Sequence, residues 1–200
     1  MNVVVLKYNA GNIYSVVNAL RRLGVEPLVT DDVESLMNAD RVIVPGQGEA
    51  SNTMSYLRER RMDEVIRNFH QPVLGICIGQ QLFCSSSAEG NTQCMGIFPD
   101  IMVTKFVASE GQKLKIPHIG WNTIDFDESC PLFKGLQKDS YVYYVHSFYV
   151  PECEYSIATT NYGGIQFTAA MCKDNFYATQ FHPEKSGEVG EQILRNFLTI

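Results

Sequence analysis

Cys77 lies in the run Val73-Leu74-Gly75-Ile76-Cys77-Ile78-Gly79-Gln80-Gln81, where an apolar strand ends in Gly-x-Cys-x-Gly and passes directly into helix-forming residues. Glycines two places either side of a nucleophile are what a sharp strand-to-helix turn needs. They relieve backbone crowding while the central residue is held in strained torsions above a sheet. The helix that follows aims unpaired N–H groups at the sulfur, which favours thiolate. A lone free cysteine is most often a buried small hydrophobe. The flanking glycines make Cys77 read as a nucleophile.

A thiol nucleophile needs a base, and there are four histidines. His182 sits in Gln180-Phe181-His182-Pro183-Glu184 at the end of an apolar run. Pro183 forces the preceding residue out of helical torsions, and residues two apart in an extended segment point the same way. Glu184 is thereby placed to hold one ring nitrogen of His182 while the other faces a thiol, which makes a nucleophile, a base and an orienting acid. His146 has no carboxylate two residues away and reads as a pocket residue. His118 reads as a packing and hydrogen-bonding residue, and His70 as a helix cap or surface residue. An oxyanion formed at Cys77 also needs donors. The N–H of Ile78 is one. The segment Pro45-Gly46-Gln47-Gly48-Glu49, after an earlier strand, is the natural second source, because its glycines let the Gln47 peptide turn. An ordinary turn would look the same.

The elements that must position these groups are legible as a β-α-β-α series. Val3–Leu6 is a short apolar run, the mark of a strand buried on both faces. Asn12 is expected to cap a helix carrying Ile13, Val16, Val17, Leu20 and Leu23 inward, with Gly24 at its end. Strands at Val25–Val29 and Arg41–Val44 follow, with a short helix near Glu34–Met37 between them. One long helix is expected from Ser51 to Phe69, then strand Val73–Cys77. The alternation implies a parallel, doubly wound sheet. In such a sheet the Pro45–Glu49 loop and Cys77 share the carboxyl edge. From Gly96 to Phe181 the pattern is strand-rich, with runs at 101–106, 115–124, 141–150, 155–160, 167–172 and 176–181. Turn signals such as Asp125-Phe126-Asp127 separate them. A helix from Ser186 to Leu198 closes the chain. The expectation is a single α/β domain over residues 1–200, an open, mostly parallel sheet with flanking helices and an antiparallel β extension.

Two hundred residues, 45% hydrophobic and 19% charged, suit a soluble globular domain with a full core. The net charge of −6 argues against nucleic acid or an anionic membrane surface as partner. The six cysteines show no Cys-x-x-Cys pairing or metal-like clustering, so reduced thiols in a cytoplasmic protein are expected. The N-terminus reads as a first strand rather than a signal peptide, and no apolar run is long enough to span a bilayer.

Gly-x-Cys-x-Gly-x-Gln followed much later by His-Pro-Glu resembles the class I (triad) glutamine amidotransferases. Several stretches narrow the resemblance to the glutaminase subunits of imidazole glycerol phosphate synthases. They are Lys7-Tyr8-Asn9-Ala10-Gly11-Asn12-Ile13, Ile116-Pro117-His118-Ile119-Gly120-Trp121-Asn122, Tyr144-Val145-His146-Ser147-Phe148-Tyr149 and Lys185-Ser186. The likeness runs through nearly the whole chain. It implies Cys77 as nucleophile, His182 as general base and acid, and Glu184 as its partner. It places glutamine against Gly46, Gly48, Gln81, His146, Ser147 and Phe148, with oxyanion donors at Gln47 and Ile78. It implies no cofactor or metal.

The same resemblance implies a heterodimer with a (β/α)8-barrel cyclase that receives ammonia, with Asn12, Trp121, Tyr143 and Lys185 at the interface. The alternative within the family is a paralogous subunit feeding a different synthase. Gln47, Gln80 and Phe148 depart from the usual residues, and Gln47 acts through its backbone. Two other classes stand against this reading. A free-standing α/β-hydrolase-type cysteine enzyme would have its acid before the histidine, whereas here it follows. A catalytically silent interaction subunit would not need Cys77, His182 and Glu184 intact.

Overall fold

The computed structural model describes residues 1–9, 12–108 and 114–200. Ala10 and Gly11, which belong to one of the motifs above, lie outside them. In the first half β1 (Val3–Leu6), α1 (Ile13–Arg22), β2 (Leu28–Thr30), α2 (Val33–Met37), β3 (Arg41–Val44), α3 (Ala50–Glu59), α4 (Met62–Arg67), β4 (Val73–Ile76) and α5 (Ile78–Phe83) alternate. The second half is strand-rich. It runs through β5 (Cys84–Ser87), β6 (Thr92–Gln93), β7 (Phe98–Lys105), β8 (His118–Thr123), β9 (Asp125–Phe126), β10 (Tyr141–His146) and β11 (Phe148–Tyr149). Then come β12 (Ser156–Tyr162), β13 (Ile165–Lys173), β14 (Phe176–Thr179), a 3-10 turn at Pro183–Lys185 and α6 (Gly187–Thr199).

The main sheet has eight strands in the order β2-β1-β3-β4-β14-β13-β12-β9. The first five are parallel to one another and the last three continue the sheet antiparallel. Because strand side chains alternate, a continuous apolar strand serves two cores at once. Val3 and Val5 of β1 and Leu74 and Ile76 of β4 pack with Leu20 of α1 and Ile193, Leu194 and Phe197 of α6. Val4, Leu6 and Val73 pack with Leu57, Met62, Ile66 and Leu82 on the other face. Helices therefore cover both faces, which is the doubly wound arrangement.

Two smaller sheets stand beside this frame. β10 and β8 form an antiparallel ribbon that pairs Tyr143 with Trp121 and His146 with His118. β11, β7, β5 and β6 form the other.

Several expected boundaries move. The helix from Ser51 to Phe69 is two, because Arg61 takes φ 53°, a left-handed conformation that no helix interior accommodates. The second strand begins at Leu28 rather than Val25, after Pro27, which has no N–H for a ladder. Asn12 stands at the start of α1 with φ 69° and its side chain caps nothing; it accepts from the Ser15 hydroxyl and donates elsewhere. The run 141–150 divides at Ser147, where the chain leaves β8 for β7. Asp125–Phe126 is the edge strand of the main sheet, not a turn.

Candidate active site

Strands β1, β3, β4 and β14 point the same way, so the loops after them meet at one edge of the sheet. Pairing of Thr179 with Ile76 brings the end of β14 beside the end of β4, and the Cys77 N–H donates to the Thr179 carbonyl at 2.7 Å. Two segments far apart in sequence thus present Cys77 and His182 side by side.

Cys77 has φ 53° and ψ −102°, the strained conformation expected at a nucleophile turn. Its glycines are there for close approach. A Cβ on Gly79 would lie 2.6 Å from the Val44 carbonyl oxygen, and one on Gly75 would lie 2.6 Å from Phe83. The Gly46–Gly48 loop is just as tight, since a Cβ on Gly46 would lie 1.8 Å from the Ile78 side chain. The Tyr8 hydroxyl donates to the Pro45 carbonyl and ties that loop to the end of β1.

His182 and Glu184 have side chains only 1% exposed, with Nδ1 2.8 Å from Oε1. Asn12 Nδ2 donates to the same Oε1 at 2.8 Å, so the carboxylate is oriented from two sides. The turn is fixed to the ribbon: His182 N–H donates to the Tyr143 carbonyl, and the Ser186 hydroxyl accepts from the Tyr143 N–H. Among the described residues, His182 Nε2 is buried with no hydrogen-bonding partner, while Cys77 is near enough to act on the ring as a charge. Burial opposes the imidazolium, but an ionised Cys77 and then Glu184 outweigh it and hold the His182 pKa well above the ordinary imidazole value.

A cleft of about 390 Å³ opens at Cys77 and Ile78. Gln47, Gly48, Gln81, His146, Ser147 and Phe148 line it. Gly46 is buried behind the wall. Glu89, Pro117 and Val145 complete the lining and carry no local sequence signal that marks them. Gln81 Nε2 donates to the Phe148 carbonyl and to Gln180 Oε1, each at 3.0 Å. Gln180 Nε2 in turn reaches Cys77 Sγ at 3.6 Å. Gln180 lies just beyond β14, two residues before His182, and that nearness to the His-Pro-Glu run is the signal that could have marked it; Glu184 itself lies in the 3-10 turn rather than in an extended segment.

His118 is buried, stacked between Tyr144 and Tyr162, and its Nδ1 lies 3.0 Å from His146 Nε2. Burial drives the pKa of His118 down to about 4 and that of His146 down to about 3, so both rings are neutral. His70 is exposed.

The residues expected at an interface divide. Trp121 is 55% exposed on the outer face of the ribbon and meets Tyr143 edge-on, with ring centroids 5.9 Å apart. Lys185 Nζ lies 6.0 Å from the Tyr143 ring. Ile119 and Tyr141 add exposed apolar area to that face. Asn12 is half-buried, and its side chain donates to Glu184.

Residues 4–200 match the family model described as glutamine amidotransferase class-I, and the chain belongs to that family. Among curated relatives, the imidazole glycerol phosphate synthase subunit HisH of Bacteroides fragilis is 56% identical over 200 residues, covering the whole of both chains. The subunit of the same name from Haemophilus influenzae is 41% identical over 198 residues, 99% of this chain and 97% of that one. Among solved structures, a glutamine amidotransferase superposes with a TM-score of 0.73 at 19% identity, over 99% of this chain and 98% of the other. PurLQS from Thermotoga maritima gives 0.66 at 16% identity, over 99% and 97%. These structures share the fold.

Proposed function

We propose that this chain is the glutaminase subunit of imidazole glycerol phosphate synthase in histidine biosynthesis, acting through Cys77, His182 and Glu184. The observation that carries the chemistry is the buried His182–Glu184 pair beside a strained Cys77 at the mouth of the cleft. Full-length identity to subunits of that name supports the pathway over a paralogous synthase.

Cys77 Sγ attacks the side-chain amide carbon of glutamine, and the carbonyl oxygen takes the negative charge. N–H groups of Ile78 and of the Gly46-Gln47-Gly48 loop hold that oxyanion. His182 Nε2 gives its proton to the departing nitrogen, the C–N bond breaks and ammonia leaves a thioester. Water then attacks the thioester and yields its proton to His182. The S–C bond breaks and glutamate departs. Glu184, steadied by Asn12, keeps the ring oriented and supports its positive charge. Glu89 is the carboxylate in the cleft suited to the ammonium group of glutamine.

Ammonia passes to a (β/α)8-barrel cyclase bound as a heterodimer on the rim formed by Trp121, Tyr143 and Lys185. Glutaminase activity of the isolated chain against the pair reconstituted with the cyclase and its nucleotide ligand tests this reading. Slow hydrolysis alone and activation in the pair are expected, since the Gly46–Gly48 peptides hold two orientations of which one offers a donor. Full activity alone, unchanged by the cyclase, would contradict the gate.

A further inference from the structure

Gln180 is completely buried, belongs to no step of the mechanism above, and lies against its nucleophile. The orientation of its amide follows from a chain of partners that ends in an unambiguous acceptor. The Phe148 carbonyl can only accept, so His146 Nδ1, 2.8 Å away, carries the proton and Nε2 carries the lone pair. The neutral His118 therefore donates from Nδ1 to His146 Nε2. The same carbonyl requires a donor from Gln81, which sets nitrogen rather than oxygen on that side of the Gln81 amide. That nitrogen also faces Gln180, so the Gln180 atom receiving it must be oxygen. The Gln180 nitrogen is left on the sulfur side, 3.6 Å from Cys77 Sγ. Flipping this amide would break the Gln81 bond and set a carbonyl oxygen against a thiolate.

We infer that Gln180 is a further catalytic residue, whose buried amide N–H, aimed by the Phe148 carbonyl through Gln81, stabilises the Cys77 thiolate. A hydrogen bond offered to the charged form favours that form, and in a water-poor site it is not replaced when lost. The network has a second consequence. Both hydrogens of the Gln81 amide are committed to protein acceptors, so Gln81 offers the cleft its oxygen, an acceptor for donors of the substrate.

The inference rests on Cys77 being the nucleophile. That point is checked separately, by labelling of Cys77 in the parent chain with an electrophilic glutamine analogue. The test proper is the rate of Cys77 alkylation by iodoacetamide in the full chain, followed by mass spectrometry of its peptide across a pH series. Gln180→Glu keeps the shape and the oxygen that Gln81 needs, and replaces the donor by an acceptor. Gln180→Met removes both.

Near neutral pH both variants are expected to alkylate roughly tenfold or more slowly than the parent, Gln180→Glu the more slowly. For Gln180→Met the deficit is expected to close as alkali ionises any thiol. Should Gln180→Met fail to fold, the isosteric Gln180→Glu carries the test through its neutral-pH rate. Parent-like rates near neutral pH, or a deficit in Gln180→Met of the same size at every pH, would overturn the inference and leave Gln180 a packing residue.

Discussion

Three side chains in register are worth little unless each is held, and here each is held by a different element. Cys77 is fixed by its strained turn and by Thr179, His182 by Glu184, and Glu184 by Asn12. His182→Asn is expected to lose nearly all glutaminase activity. Glu184→Gln should lose less, and Asn12→Ala less again, because orientation matters less than the base being oriented. Steady-state rates of the three variants check the order, and a reversal would misplace the base.

The buried pair His118–His146 titrates in the opposite sense to His182. Their folded pKa values lie below the unfolded value near 6.5, so below that pH the unfolded chain takes up protons that the folded chain refuses. Stability should fall as pH drops from about 6.5 toward 4, at about 1.4 kcal/mol per pH unit for each proton. His182, raised instead, contributes stability that is present at low pH and lost as pH rises through its folded value. Urea midpoints across that range, with His118→Gln flattening the acid slope, test the assignment. An unchanged slope would mean the pair is not buried neutral. The tight turn at Cys77 and the pairing of Glu184 with His182 were legible because a local spacing encodes each. Asn12 and Glu89 were not, since only folding brings them to the site.

At the scale of elements, parallel pairing does the assembling, and the weak points are close backbone approaches rather than large side chains. α6 lies on the turn that carries His182 and Glu184 so closely that a Cβ on Gly190 would sit 1.9 Å from the Pro183 carbonyl oxygen. Gly190→Ala must push the helix off the turn. A stability loss of about 1–3 kcal/mol, typical of overpacking, is expected together with lost glutaminase activity. Thermal melts and rates measured on the same preparation check it, and a parent-like variant would show that α6 does not set the turn. The buried strands of the first half were readable as apolar runs, and so was the alternation with helices. β5, with the sequence Cys-Ser-Ser-Ser, and the two-residue β6 and β9 were not, because their pairing is imposed by neighbours and leaves no apolar period. The break at Arg61 was hidden for a related reason: an arginine in left-handed torsions carries no glycine to announce it.

For the whole molecule, the two-faced parallel frame holds Cys77, and the antiparallel ribbon brings both the buried histidine pair and an exposed aromatic rim to the same edge. Tyr143 joins them. Its carbonyl accepts from the His182 N–H while its ring meets Trp121, so anything docked on that rim touches the turn that carries His182 and Glu184 through one residue. All of this depends on Cys77 being the atom that attacks glutamine. The most direct measurement is peptide mapping after treatment with a glutamine analogue bearing an electrophilic side chain, in the parent chain and in Cys77→Ser. One label per chain, confined to Cys77 and absent from Cys77→Ser, is the expected result. Comparable labelling of Cys84 or Cys172, or labelling that persists in Cys77→Ser, would contradict the account.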